Sequence, residues 1–414
     1  MKKIATLIAA ALVAVAALAQ ESKIEFKPYG FVRSYFAFDS RVSTAGLDDL
    51  YYWMPKDVKM VNGEDVNAVS SFRFAAITSR LGLDIKGYEI DGIKINGKFE
   101  ADFYSGLTGN TGTAQFRLRQ AFVTLSKGSF NWKIGQAWHP MAADLPDIFS
   151  LESGAPFGPF SRSPLVQYDL KLTDALSMTA AAIWQMQYCS TGPEGVSANY
   201  IKYGCTPELY FGLNLKSKNG SVLKVGGDVL SIKPRQVNAN GFAKDRLTTW
   251  NAFVYGNAKL GGLDWKTKVT FANDGSHFNL LGGYGVSHVD AATDNWDYTA
   301  TRTLSGWTTL AYRKAGRWVP QMLLGYIKMF GTPEEVLPKA GDQAFSWVKN
   351  SANVINQMFR IQPEIVYNLG KIGFGLEYMA TGAQYGESDS HMLASGNLHW
   401  VVNHRVQVLV KYTF

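Results

Sequence analysis

The chain has 414 residues, of which 13% are aromatic, 40 are glycine and only 18% are charged, a balance too rich in rings for a disordered polymer. Its net charge of +7 is spread along the chain without a basic tract, which excludes a nucleic-acid footprint. No stretch approaches the roughly 20 apolar residues that a membrane helix needs, so a helical membrane protein is excluded too.

Residues 1–19 read as a secretory signal: Lys2 and Lys3 precede the apolar run Leu7 to Ala19, which closes on Ala17-Leu18-Ala19. The remainder, 20–414, is expected to be one exported domain, since no linker or low-complexity stretch interrupts it. From about residue 24 onward one pattern recurs, ten-residue segments in which every second side chain is apolar. Ile93, Ile95, Phe99, Ala101 and Phe103 alternate with Lys94, Asn96, Lys98, Glu100 and Asp102, a period of two that only a strand produces. Leu81, Leu83 and Ile85 alternate in the same way with Arg80, Gly82, Asp84 and Lys86. In chain order, strands are predicted at 25–38, 71–87, 92–104, 115–127, 129–138, 164–173, 175–188, 206–217, 221–232, 247–259, 263–273, 303–314, 318–329, 358–368, 372–383 and 403–414. His391 to Val402 is assigned to the last external loop, because counting it as a strand would give an odd total.

Such strands suit either a soluble barrel or a transmembrane antiparallel β-barrel of about 16 strands. A soluble barrel this wide would have to fill its interior with apolar side chains, whereas a membrane barrel turns Lys, Arg, Asp and Glu toward a watery lumen. Connections alternate between short turns, such as Thr173-Asp174 and Gly261-Gly262, and long loops, such as 39–70, 138–163 and 274–302. That alternation matches short periplasmic turns and long extracellular loops, so the membrane barrel is the fold expected. Trp132, Trp138, Trp184, Tyr210, Trp250, Trp307, Tyr312, Trp318 and Tyr412 fall near strand ends, where rings would form girdles at the lipid interfaces.

A barrel of this size leaves an aqueous channel, so the candidate functional residues are those that line or narrow it. The segment 138–163 carries Asp144, Asp147, Glu152 and Arg162 among prolines and glycines, with Leu145, Ile148, Phe149, Leu151, Phe157 and Phe160 to anchor it. A loop of this length is expected to be functional, here folded inward as a constriction. Facing it, the strand 115–127 places Arg117 and Arg119 on one face with Ala121 and Val123, and Phe116, Leu118 and Phe122 on the other. Guanidinium groups stay charged at any working pH and match carboxylate or phosphate. With Arg80, Lys86, Lys94, Lys98, Lys266, Lys268, Arg405 and Lys411, ten cations point inward against Asp84, Glu100, Asp102 and Asp264. A lumen that favours small anionic solutes is expected, since rings of Arg and Lys lower the barrier for negative charge.

Cys189 and Cys205 sit 16 positions apart in a polar stretch and are expected to pair, as an exported chain permits. None of the 6 histidines stands in a metal-binding spacing, and no Gly-x-Ser-x-Gly appears. No metal, no cofactor and no enzymatic activity are expected. The closing strand alternates Val406, Val408, Val410, Tyr412 and the terminal Phe414 with Arg405, Gln407, Leu409 and Lys411. Tyr412 and Phe414 are expected to serve as the signal read by barrel-assembly machinery.

Phe74 to Gly87 (FAAITSRLGLDIKG), Gly97 to Phe103 (GKFEADF), Phe116 to Leu125 (FRLRQAFVTL), Gly135 to Trp138 and Asn403 to Phe414 (NHRVQVLVKYTF) together resemble the DcaP-like outer-membrane porins. The resemblance implies a sixteen-strand barrel in the bilayer of a Gram-negative outer membrane, a homotrimer, an inward third loop and passage of small solutes, anionic in some members. Arg117 and Arg119 match its Arg-x-Arg strand, and Gln136 and Trp138 its Gly-Gln-x-Trp segment. No heptad-patterned segment lies between Ala19 and Lys23, so trimer contacts are expected from the barrel wall. The competing expectation is a plugged barrel serving structure, adhesion or surface hydrolysis.

Overall fold

The computed structural model describes residues 24–46, 51–76, 78–108 and 113–414. The expected signal at 1–19 lies outside the described residues. The barrel strands are β1 (Glu25–Asp39), β2 (Ser71–Ala75 continued by Arg80–Ile90), β3 (Ile93–Thr108), β4 (Thr113–Lys127), β5 (Phe130–Trp138), β6 (Arg162–Lys171), β7 (Leu176–Ile183) and β8 (Glu208–Lys216). They continue with β9 (Val222–Ile232), β10 (Leu247–Leu260), β11 (Leu263–Asn273), β12 (Arg302–Tyr312), β13 (Trp318–Met329), β14 (Ile355–Leu369), β15 (Ile372–Ser388) and β16 (Ala394–Thr413). Each pairs antiparallel with its sequence neighbours, and both halves of β2 pair with β1, so sixteen strands form the sheet. The sheet closes where β1 meets β16, from Phe31 opposite Thr413 to Asp39 opposite Arg405. Closure leaves no edge strand and pairs the backbone amides that hydrocarbon could not satisfy.

The two faces are inverted relative to a soluble protein. Along β16, Val402, Val406, Val408 and Val410 are exposed outside, while Asn403, Arg405 and Gln407 are buried inside. Along β14, Ile361 and Ile365 face out and Arg360, Gln362 and Glu364 face in. An apolar exterior around a polar interior is stable only when lipid surrounds it.

Four expectations need correction. The last strand begins at Ala394, so most of 391–402 is wall and not loop: Tyr385 pairs with His399 and Gln384 with Trp400. The strand count survives because this stretch runs straight on into 403–414. In β4 a bulge at Arg119 sets Glu100 opposite Gln120 but Ala101 opposite Leu118. One extra residue reverses every following side chain, so Phe122 turns inward beside Lys133 while Val123 is exposed to lipid. Among the aromatics, Trp132, Trp184, Trp250, Tyr312, Trp318 and Tyr412 are exposed on the wall, but Tyr210 and Trp307 are buried on its inner face. Finally, Cys189 and Cys205 are free thiols, the first buried and the second exposed. A short helix, Asn199–Gly204, separates them; Cys189 Sγ turns to the Met186 carbonyl and Cys205 Sγ to that of Lys202.

Candidate functional site

The chain leaves the wall after β5 and rejoins it at β6, and the intervening residues lie against the inner faces of strands far away in sequence. Glycines in the wall make the approach possible. A Cβ at Gly325 in β13 would sit 2.6 Å from Phe157, and one at Gly375 in β15 would sit 2.5 Å from Phe149. The Trp307 ring lies under Gly158 of the loop, where a Cβ would come within 2.5 Å of its Nε1. Phe157 and Trp307 are almost wholly buried by this docking, and each ring removed from water contributes about 1.5–3 kcal/mol.

Polar contacts fix the register of the loop. Asp147 pairs with Lys266 of β11 at 2.6 Å and with Arg313 at 3.1 Å, and Asp144 pairs with Lys224 of β9 at 2.7 Å. Lys268 Nζ donates to the carbonyls of Met141 and Asp144 at 2.8 and 3.0 Å. Glu152 is buried against Arg360 of β14 at 3.2 Å, and the same guanidinium donates to the Ala155 carbonyl. The Phe149 amide donates to Glu364, Gln362 donates to Ser150 Oγ, and Tyr35 donates its hydroxyl to the Phe149 carbonyl.

Opposite this anchored side, Arg33, Arg80, Arg117, Arg119 and Lys411 line a cavity of about 290 Å³ whose other wall is the loop at Ile148, Phe149, Ser150 and Leu151. The strands β1 to β4 and β16 bring these cations together. Arg117 grips Asp102 through two 3.0 Å hydrogen bonds, and Arg119 bridges Glu100 and Asp102 at 2.8 Å each. Arg80 reaches Glu100 at 3.7 Å. Phe31 is a hub for three cations, with Arg33, Arg80 and Lys411 at 4.8, 5.0 and 4.9 Å from its ring centre. Five cations and one carboxylate, Asp102, face the cavity. A site of this composition can hold or pass a solute bearing carboxylate or phosphate by forked donation.

Of the residues proposed from sequence, Arg80, Asp102, Arg117 and Arg119 line this cavity, with Glu100 behind them. Lys98 pairs with Asp84 at 2.7 Å and donates to Tyr29, and Lys94 is exposed near the turn into β3. Asp144, Asp147 and Glu152 are taken up by wall cations. Arg162 is fully buried among Trp138, Phe160 and Tyr188, donating to the Tyr188 hydroxyl at 3.0 Å, so it clamps the root of the loop instead of lining the cavity. Tyr412 and Phe414 lie at the closing seam, where Phe414 exchanges backbone hydrogen bonds with Gly30 at 3.1 and 3.3 Å. Sequence reasoning missed Arg33, Lys224, Arg313 and Arg360. Arg33 could have been found by carrying the alternation of β1 inward; the others serve partners more than seventy positions away.

Residues 13–156 match the family model of the DcaP outer membrane protein. No curated protein sequence matches the chain. Among solved structures, the outer membrane channel DcaP of Acinetobacter baumannii is similar with a TM-score of 0.69 at 19% identity, over 94% of this chain and 97% of that one. An anion-selective porin from Comamonas acidovorans gives a TM-score of 0.58 at 11% identity, over 94% of this chain and all (100%) of that one. The trimer form of OmpT from Vibrio cholerae gives 0.53 at 12% identity, over 94% and 99% of the two chains. The resemblance to the DcaP-like outer-membrane porins therefore holds over residues 13–156, the barrel fold is shared with these outer-membrane channels, and the location they indicate is the outer membrane of a Gram-negative bacterium.

Proposed function

We propose that this outer-membrane barrel is a passive diffusion channel for small hydrophilic solutes, with a preference for anions. The observation that carries the reading is the cluster of five cations facing a cavity whose opposite wall is the inward loop. The acids of that loop do not oppose them, because Asp144, Asp147 and Glu152 are matched by Lys224, Lys266 and Arg360. Residues 138–163 act as the constriction, residues 1–19 as a removed signal, and the protein works as a homotrimer through its apolar wall. The trimeric OmpT structure and the anion-selective porin lend weight by analogy of fold. Chemistry on the solute is no part of the reading.

Planar-bilayer recording tests it. Stepwise conductance with a reversal potential on the anion side of a salt gradient is expected. Silent membranes at full insertion would favour the plugged barrel, and cation selectivity would mean that the cationic arc does not govern permeation. Biogenesis is a separate element of the proposal, with Tyr412 and Phe414 read by barrel-assembly machinery. Phe414→Asp should lower the folded yield in outer membranes, and normal yield with normal heat-modifiable migration would refute that role.

A further inference from the structure

Trp138, the last residue of β5, lines two cavities. One is the cationic cavity; the other, of about 330 Å³, lies at the root of the inward loop beside Pro140 and Ala143, against the inner faces of β4 to β9. Its volume is within the range of small-molecule sites. The bulge at Arg119 helps to build it, because the reversal of faces that follows turns the Phe122 ring into this space, a use to which bulges are often put. Tyr210 supplies a second ring from the far wall, reaching over Gly212 and Gly226, where a Cβ would collide with its phenol.

An account of the polar groups shows what this cavity lacks. Its one carboxylate, Asp169, is saturated: Oδ1 accepts from Gln167 and Thr179 at 2.8 Å each, and Oδ2 from Gln167 and Asn131 at 3.0 and 3.1 Å. Four bonds fill the acceptor sites of a carboxylate. Lys224 is held by Asp144 at 2.7 Å. Lys133 is different, for its Nζ stands 5.6 Å from the centre of the Phe122 ring and, among the described residues, has neither an ion pair nor a hydrogen bond. The three amides are each oriented by what they donate to. Gln120 gives its Nε2 to Glu100 at 3.3 Å, Gln167 gives its Nε2 to Asp169, and Asn214 gives its Nδ2 at 3.3 Å to the Thr179 oxygen, whose own proton goes to Asp169. All three side-chain carbonyl oxygens are thereby left without a donor. One free ammonium and three free carbonyl acceptors therefore line the same space, next to aromatic surface.

We propose that this cavity is a second solute subsite, for a hydroxylated carboxylate of the sugar-acid class, with Lys133 as its specificity-determining residue. The solute's carboxylate takes the Lys133 ammonium, its hydroxyls donate to the carbonyls of Gln120, Gln167 and Asn214, and its C–H faces lie on Phe122 and Tyr210. A second carboxylate on the solute would meet acceptors only, so the subsite discriminates where the arginine arc does not. The assignment rests on the lumen being an anion-preferring channel, as proposed above, and adds to that channel a station across Trp138 from the arc.

The test uses full-length protein extracted from outer membranes and inserted in planar bilayers, with chloride current as the baseline of each variant. Added glucuronate should block that current at a lower half-blocking concentration than acetate, which lacks the hydroxyls, or glucose, which lacks the charge. Lys133→Gln should raise the half-blocking concentration of glucuronate by roughly 10-fold or more, as expected for loss of a hydrogen bond to a charged group, and Lys133→Arg should keep the block. Asn214→Leu should weaken glucuronate while leaving acetate unchanged. Anion-selective wild-type channels that glucuronate blocks no better than acetate and glucose overturn the subsite and leave the channel standing. So does a folded Lys133→Gln variant blocked at the wild-type concentration, which would assign the block to the arginine arc. Silent or cation-selective membranes overturn the channel itself and the subsite with it. Should the variants fail to fold, the wild-type order of the three solutes decides alone.

Discussion

The two sides of the lumen use the same residue types for opposite ends. On the side formed by β9 to β15, Lys224, Lys266, Lys268 and Arg360 are consumed by the inward loop, through its acids and its carbonyls. On the side formed by β1 to β4 and β16, Arg33, Arg80, Arg117, Arg119 and Lys411 face a cavity that the loop leaves open. A count of inward charges along the strands cannot separate these roles. What sets the field inside the cavity is which cations the loop reaches, and that follows from the shape of the wall beneath it.

The comparison can be broken most severely at Arg360. Arg360→Ala leaves Glu152 buried without its partner, a change that typically costs about 3–5 kcal/mol, so we expect a loosened loop. Higher and noisier single-channel conductance and a lower thermal midpoint would show it; unchanged values would mean that the aromatic docking alone holds the loop. Next in size is the double variant Arg117→Ala with Arg119→Ala. Glu100 and Asp102 would then face the cavity with less opposing charge, and the reversal potential should move to the cation side while heat-modifiable migration still reports a closed barrel. Retained anion preference would place the selective step elsewhere. A milder change in the same direction is expected of Lys411→Gln, which removes one cation from the Phe31 hub, and a reversal potential equal to wild type would remove Lys411 from the permeation path. The smallest effect should come from Asp144→Asn on the anchored side. Its partner Lys224 is partly exposed, so stability should change by no more than about 1 kcal/mol, with a slight gain in anion preference as the lysine is released. A large loss of thermal stability would show that this ion pair is a principal anchor.

Much of the barrel was legible in the chain because alternation is a local property. The alternation of Ile93 to Phe103 and that of Arg405 to Phe414 each declare a lipid face and a lumen face without reference to any other strand. The same locality explains the errors. One additional residue at Arg119 swaps the faces of Phe122 and Val123, and a hydropathy pattern contains nothing that marks it. Trp307 and Tyr210 have the composition of girdle residues but face inward, because what they pack against comes from other elements. Parity suggested a loop at 391–402, whereas the alternation of Trp400, Val402 and His404 already ran unbroken into the closing strand. At the candidate site, Arg117, Arg119 and Asp102 were readable as neighbours across one hairpin. Arg360 with Glu152 was not, since those residues are 208 positions apart.

The glycine sockets at Gly325 and Gly375 have a consequence for the bore itself. Each lets an aromatic ring of the loop sink to the backbone of the far strand, so the loop stands off the wall by the thickness of a ring with no side chain interposed. The width of the cavity between the loop and the cationic arc is thereby written in atoms that are missing. Adding a methyl group at either socket would lift Phe157 or Phe149 toward the cationic arc and narrow the opening without altering its charge. For the channel proposed above, size exclusion and ion preference would therefore be separately adjustable, the one from behind the loop and the other from across it.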